Sequence, residues 1–242
     1  MQDQVQDRLK DQVIVIVGAT GGIGSALTRK LAPTGARLVL SSKDGMKLQK
    51  LASDLSSESL VVPTDITQPE QVEALIQTTI DHFGKIDILV NAAGMGILKA
   101  YNNIQPEELN RILDLNLKGC FYTCQAAAKE MQKRKFGHIC NVVGILGKHS
   151  MPMAAAYSAS KFGVVGFSKS MAEELKRFGV KFTLFYFGGI DSPFWDHVSM
   201  KVDRTKMLSC ETAANAIFYA LSLEPQAVPM EINIQPDSHL FF

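Results

Sequence analysis

Tyr157 and Lys161 stand four residues apart in Ala156-Tyr157-Ser158-Ala159-Ser160-Lys161-Phe162, a stretch free of helix breakers. On a helix that spacing puts a phenol and an ammonium on one face. A phenol with an ordinary pKa near about 10 exchanges protons poorly at neutral pH, and a neighbouring cation favours the phenolate and lowers that value. Such a pair can pass a proton to or from a carbonyl or alcohol oxygen. Taken alone, Tyr-x-x-x-Lys also arises by chance on many helix surfaces.

A second chemical cue lies near the N-terminus. The aliphatic run Val13-Ile14-Val15-Ile16-Val17 leads straight into Gly18-Ala19-Thr20-Gly21-Gly22-Ile23-Gly24. Five consecutive β-branched residues suit a strand covered on both faces, the pattern of a parallel sheet. Gly18 would make the turn, Gly22 would let a pyrophosphate approach the backbone, and Gly24 would let the next helix pack closely, with its N-terminal N–H groups toward the phosphates. The spacing is G-x-x-x-G-x-G rather than G-x-G-x-x-G. The alternative is a tight turn with no ligand.

The elements between these cues alternate. Helices are expected over 22–32, 46–55, 69–83, 106–133 (interrupted near Gly119), 155–178 and 210–223. Strands are expected at 13–17, 37–41, 60–62, 86–90, 137–143, 181–185 and 230–234. Alternation of this kind builds a parallel sheet of about seven strands with helices on both faces, joined by right-handed crossovers. Residues 1–242 read as one domain, with 188–205 an irregular, mobile loop over the substrate. Ligands then sit beyond the C-terminal strand ends, where the glycine turn, Asn91-Ala92-Ala93-Gly94, Gly144 and Gly188 converge.

Composition narrows the partners. With 46% hydrophobic and 20% charged residues and a net charge of +1, nothing attracts a nucleic acid or an anionic membrane. The polar Met1–Lys10 and the lack of a long apolar run predict neither a secretory signal nor a membrane span, hence a cytoplasmic protein. Cys120, Cys124, Cys140 and Cys210 lack zinc-site spacing and read as small buried hydrophobes, so no metal is expected.

Gly18-x-x-x-Gly22-x-Gly24, Asn91-Ala92-Ala93-Gly94, Asn116 within Leu115-Asn116-Leu117, and Tyr157-x-x-x-Lys161, in this order, resemble the motifs of the short-chain dehydrogenase/reductase family from Leu9 to about Pro236. The resemblance implies a Rossmann-type doubly wound domain and a nicotinamide cofactor that carries the hydride. It implies Tyr157 as acid–base, Lys161 on the nicotinamide ribose and lowering the tyrosine pKa, and Asn116 supporting a water relay. It also implies the pyrophosphate on Gly18, Thr20, Gly21, Gly22, Ile23 and Gly24, and adenine against Asp65 and Ile66. Asn91, Ala92 and Gly94 would flank the adenosine ribose and the sheet, and Gly188 and the Ile190 backbone the nicotinamide. Read without the family, Asn116 is a buried amide at a helix kink and Asp65 a capping turn residue. Homodimers or homotetramers through the two long helices are also implied, the second carrying Val164, Val165, Phe167 and Met171.

Two positions depart from the family pattern. Thirteen residues before Tyr157, where the family has a catalytic serine, stands Gly144, and Phe187 replaces the usual proline before Gly188. Loss of one preorganised donor typically lowers turnover by about 10²–10³-fold. Three readings follow: an oxidoreductase that reduces a carbonyl or oxidises an alcohol on a small, partly apolar substrate; a weak or inactive cofactor-binding relative acting in regulation or assembly; or an enzyme whose substrate supplies the missing hydrogen bond or that runs other chemistry, such as elimination or isomerisation, at the same site.

Cofactor choice rests on the end of the second strand. Leu40-Ser41-Ser42-Lys43 has hydroxyls and a lysine where an NAD site needs an acid, so NADP(H) is expected over NAD, with Ser42 and Lys43 on the 2′-phosphate. Asp44 tempers this, and the alternative for Lys43 is a solvated loop residue. On the substrate side Gly144, Met95, Met151, Met153, Phe187, Phe194, Trp195 and Val198 suggest an apolar pocket, with Asp196 or His197 as polar contacts. The loop aromatics could instead pack the loop onto the domain.

Overall fold

A computed structural model of the chain describes residues 8–198, 200, 202–238, 240 and 241. The run Val13–Val17 is β1, buried at every position. Its odd residues Val13, Val15 and Val17 enter one apolar cluster and Ile14 and Ile16 another on the opposite face, which is why no polar residue interrupts it. The sheet has the order β3-β2-β1-β4-β5-β6-β7, and every neighbouring pair is parallel.

The strands are β2 (Arg37–Ser42), β3 (Ser59–Pro63), β4 (Ile88–Asn91), β5 (Gly137–Val142), β6 (Val180–Phe187) and β7 (Glu231–Ile234). One face is covered by α1 (Gly22–Leu31), α2 (Gly45–Ser53) and α7 (Cys210–Ser222), through Leu27, Leu31, Leu48, Leu51, Ala213 and Ile217. The other is covered by α3 (Pro69–Phe83), α5 (Cys120–Arg134) and α6 (Ala155–Leu175), through Val72, Leu75, Cys124, Ala127 and Val164.

The long helix expected over 106–133 is three pieces: α4 (Pro106–Leu113), a π-helical stretch Asp114–Gly119, and α5. A Cβ on Gly119 would lie 2.8 Å from Ile66 Cγ1, so the glycine lets the helix pass close to the strand-end loop. At the opposite end of the sheet Asp87 is buried, pairs with Lys85 at 2.7 Å and Arg134 at 2.9 Å, and accepts from the Val13 N–H. Burial alone would raise its carboxyl; Lys85, the Val13 N–H and Arg134 outweigh that and hold it below the usual range. No helix among the described residues is long and apolar enough to cross a membrane.

Candidate active site

The glycine turn is built from backbone bonds. Gly18 has φ +82°, its N–H and that of Ala19 donate to the Ser41 carbonyl (2.8 and 3.0 Å), and a Cβ on it would lie 2.6 Å from the Ala93 nitrogen. On Gly24 a Cβ would collide with the Gly18 carbonyl, so this glycine sets how closely α1 meets the turn. Gly22 lines the cleft. Its bare face is filled by Ser192 and Cys210, whose Cβ and Sγ lie 2.8 and 2.6 Å from where a side chain would begin. The exposed glycine is Gly21, the uncapped N-cap of α1; Thr20 and Ile23 are half-buried beside it.

At the end of β2 the charges are arranged differently from the sequence reading. Lys43 is exposed but not free: its ammonium pairs with Asp65 at 2.9 Å. Asp65 also accepts from the Thr67 N–H and hydroxyl, which makes it a turn residue before α3, while the Ile66 side chain is buried. Asp44 caps α2, accepting from the Lys47 N–H at 3.0 Å. The Ser42 hydroxyl is buried without a hydrogen-bond partner.

Asn91 ends β4, within the sheet it was expected to flank. Its amide donates to Asn141 Oδ1 at 2.9 Å and accepts from the Thr123 hydroxyl at 2.8 Å, and Asn141 donates to Ser168. The side chain locks β4 to β5, α5 and α6 beneath the cleft, because alternation along β4 turns residue 91 inward. Ala92 and Gly94 do line the cleft.

Tyr157 and Lys161 lie in the first two turns of α6. Lys161 donates to the Val142 carbonyl at 3.2 Å, and its Nζ is 5.8 Å from the Tyr157 ring centre. Asn116, inside the π-helical stretch, binds both the N–H and the C=O of Met95 at 2.9 Å and donates to Ser160 at 3.1 Å. Its amide thus fastens the loop after β4 to α6. A Cβ on Gly94 would lie 3.4 Å from Lys161 Nζ and 3.5 Å from Asn116 Oδ1, so Gly94 keeps these two reachable.

The expectation that Lys161 lowers the tyrosine pKa is corrected. Burial pushes the Tyr157 phenol up, above its ordinary value, and burial also brings Lys161 down to about 8. The lysine is itself short of water and spends a hydrogen bond on Val142, so it does not offset the desolvation of the phenol.

A depressed lysine costs folding energy. Between about pH 8 and 10.5 the unfolded chain holds a proton on Lys161 that the folded protein releases, so stability rises with pH across that window and the penalty is full below it. At about 1.4 kcal/mol per unit, Lys161→Met should stabilise the ligand-free protein at pH 7 by roughly 1–3 kcal/mol. Urea unfolding at pH 7 and pH 10 checks this; an unchanged midpoint at pH 7 would show that the buried ammonium carries no cost.

Above these residues lies a cavity of about 770 Å³. Met151, Phe187, Phe194 and Trp195 line it as expected, as does His197, but Met95, Met153 and Val198 do not. Asp196 is not a free polar contact, being paired with Arg204 at 2.7 Å. Arg204 also holds Asp191 at 2.6 Å and the Ser192 carbonyl, and Trp195 donates to the Ile190 carbonyl at 2.8 Å, so Arg204 braces the Asp191–Asp196 stretch beside the cleft. Ser199 and Lys201 of the 188–205 loop lie outside the described residues. Gly188 packs on Pro236, with its N–H bonded to Ile234.

Gly144 has φ +89° and ψ 159°, and a Cβ there would lie 3.5 Å from the Tyr157 hydroxyl oxygen. Sequence reasoning missed Gly96, Ser192 and Arg204. Only the segments they meet across the cleft give them a role, and no local spacing marks them.

The short chain dehydrogenase family model matches residues 12–203. An uncharacterized oxidoreductase of Staphylococcus aureus is 35% identical over 229 residues, spanning 94% of this chain and 98% of its own. One from Staphylococcus epidermidis is 31% identical, spanning 95% and 99%. Among solved structures, a metagenomic short-chain oxidoreductase in complex with NADP gives a TM-score of 0.83 at 29% identity over 95% of this chain and 98% of its own. An alcohol dehydrogenase from the archaeon Thermococcus sibiricus complexed with 5-hydroxy-NADP gives 0.88 at 23% identity over 96% and 99%, a likeness of fold. On a match that runs from the aliphatic strand through the braced loop, the chain belongs to the short-chain dehydrogenase/reductase family of oxidoreductases.

Proposed function

We propose that the protein is an NADP(H)-dependent carbonyl reductase, or alcohol dehydrogenase in reverse, with Tyr157 as its acid–base. The observation that carries this reading is the half-buried Tyr157 phenol at the wall of a large apolar cavity, one helical turn from Lys161, with desolvation raising its pKa above the ordinary value. Carbonyl reduction needs a proton donor at the nascent alkoxide, and a neutral phenol is one.

The residues present fit a dinucleotide. No side chain caps α1, Gly21 is bare, and the buried Ser42 hydroxyl lacks a partner. Gly18–Gly24 would take the pyrophosphate, Ser42 and Lys43 the 2′-phosphate, and Lys161 the nicotinamide ribose; the bound cofactor supplies the hydride. Lys43 would have to leave Asp65, which costs little, since exposed ion pairs are worth at most about 1 kcal/mol. Asp44 spends its carboxylate on capping α2, which weighs against an NAD-type grip on the ribose diol, although Asp65 stays nearby once Lys43 turns to the phosphate. The NADP complex of the 29%-identical oxidoreductase supports the same choice.

The test is NADPH and NADH binding together with oxidation across a carbonyl panel. NADPH should bind at least about 10-fold tighter, a hydrogen bond to a charged group being worth roughly 1.5–3 kcal/mol. Equal affinities would remove the assignment of Ser42 and Lys43. Gly144 favours one second reading, a cofactor-binding relative with little turnover; robust NADPH oxidation by the parent protein would exclude it.

Self-association belongs to the proposal too. Val164 faces the core, but Phe162 and Gly166 are exposed on α6, beside an edge-on contact between Phe121 and Phe167 at 5.3 Å. That face is the one we assign to a second copy in a cytoplasmic dimer or tetramer.

A further inference from the structure

Two glycines and one phenylalanine shape the cavity where it meets Tyr157. Gly96 leaves a notch in the loop after β4, and a Cβ there would collide with the Phe194 ring, so the ring is seated in the notch. From that seat Phe194 meets Tyr157 edge-on, with ring centres 5.7 Å apart and planes at 68°. Trp195 packs against Phe194 at 5.1 Å and 81°. Near the Tyr157 hydroxyl Gly144 presents no side chain, so no Cβ occupies the point 3.5 Å from its oxygen. The space around that oxygen is therefore bounded by an aromatic wall and widened by a missing side chain.

The charges near this space are already committed. Arg204 is held by Asp191 and Asp196, and Lys206 lies 3.6 Å from Asp203. Apart from Lys161, assigned above to the ribose, no lysine or arginine among the described cavity residues lacks a carboxylate partner. A substrate carboxylate entering here would lose its hydration and would reach the Lys206 ammonium only in competition with Asp203, with Lys161 taken by the ribose. An aromatic ring would bury its surface and gain edge or offset contact with Phe194.

Resting on the reductase reading above, we propose that the substrate is an uncharged carbonyl compound with an aromatic ring beside the carbonyl, and that Phe194, seated against Gly96, is the residue that selects it. Charged oxo acids and small aliphatic ketones are the compounds it selects against.

Trp195 is the one tryptophan of the chain, so its fluorescence reads ligand entry beside Phe194 without requiring turnover. The NADP⁺-loaded protein is titrated with acetophenone, 2-butanone and benzoylformate, and NADPH oxidation is followed with the same three. Acetophenone should bind about 10-fold or more tightly than either competitor. Phe194→Ala should weaken acetophenone about 10-fold and leave 2-butanone within about 2-fold, while Phe194→Leu, which keeps the notch filled, should fall between. Benzoylformate binding as tightly as acetophenone, or an unchanged preference in Phe194→Ala, overturns the assignment. The expected preference without NADPH oxidation keeps the substrate class and overturns the reaction instead.

Discussion

In the Tyr157→Phe variant, NADPH oxidation with a competent carbonyl falls by about 10²–10⁴-fold, the range that a positioned proton donor contributes, while NADPH affinity stays within about 2-fold. The substitution removes one oxygen and keeps the ring that packs against Phe194, so the fold and the cavity wall are preserved. Because burial holds the phenol protonated, reduction should show no loss from tyrosine ionisation between pH 6 and 8, whereas alcohol oxidation, which needs the phenolate, should rise with pH. The Lys161 ammonium is lost as pH rises through about 8 in the ligand-free protein, so cofactor affinity should weaken above that point. Turnover retained in the phenylalanine variant would remove Tyr157 from the mechanism; affinity lost in parallel with turnover would mean that the hydroxyl holds the cofactor instead.

What could be read without coordinates was whatever is decided within one element. Five aliphatic residues specify a two-sided strand because every position is covered, and four-residue spacing brings Tyr157 and Lys161 to one side of α6 however the rest folds. What could not be read depends on segments distant in sequence. Lys43 looked free until Asp65 came beside it, and which partners hold Asn91 at the sheet was decided only by Asn141 of β5 and Thr123 of α5. The Tyr157 pKa followed the same rule: lysine proximity is local, but the burial that outweighs it comes partly from the loop that carries Phe194. Gly22 was read from its motif as backbone clearance for a phosphate, and only the fold showed that Ser192 and Cys210 pack where its side chain would begin.

Gly144 joins these two kinds of knowledge. By position it stands where a serine donor is missing, and a serine put there should add about 10²–10³-fold in rate if orientation of the substrate oxygen is all that was lost. Its backbone says otherwise. At φ +89° and ψ 159° it occupies a region open essentially to glycine alone, with its N–H bonded to the Phe185 carbonyl at 3.0 Å. Any side chain must distort that segment at a cost of roughly 1–3 kcal/mol. Gly144→Ser and Gly144→Ala should therefore lose stability by that same amount in urea unfolding, and both should lose aryl-carbonyl turnover by about 10-fold or more, since each fills the space beside the Tyr157 oxygen. Comparing the two variants cancels the strain and isolates the hydroxyl. A Ser-to-Ala turnover ratio near one means the segment has been rebuilt around glycine and no serine is wanted there. A ratio of about 10²–10³, with serine exceeding the parent, means that carbonyl activation was lost and that the weak cofactor-binding reading is correct.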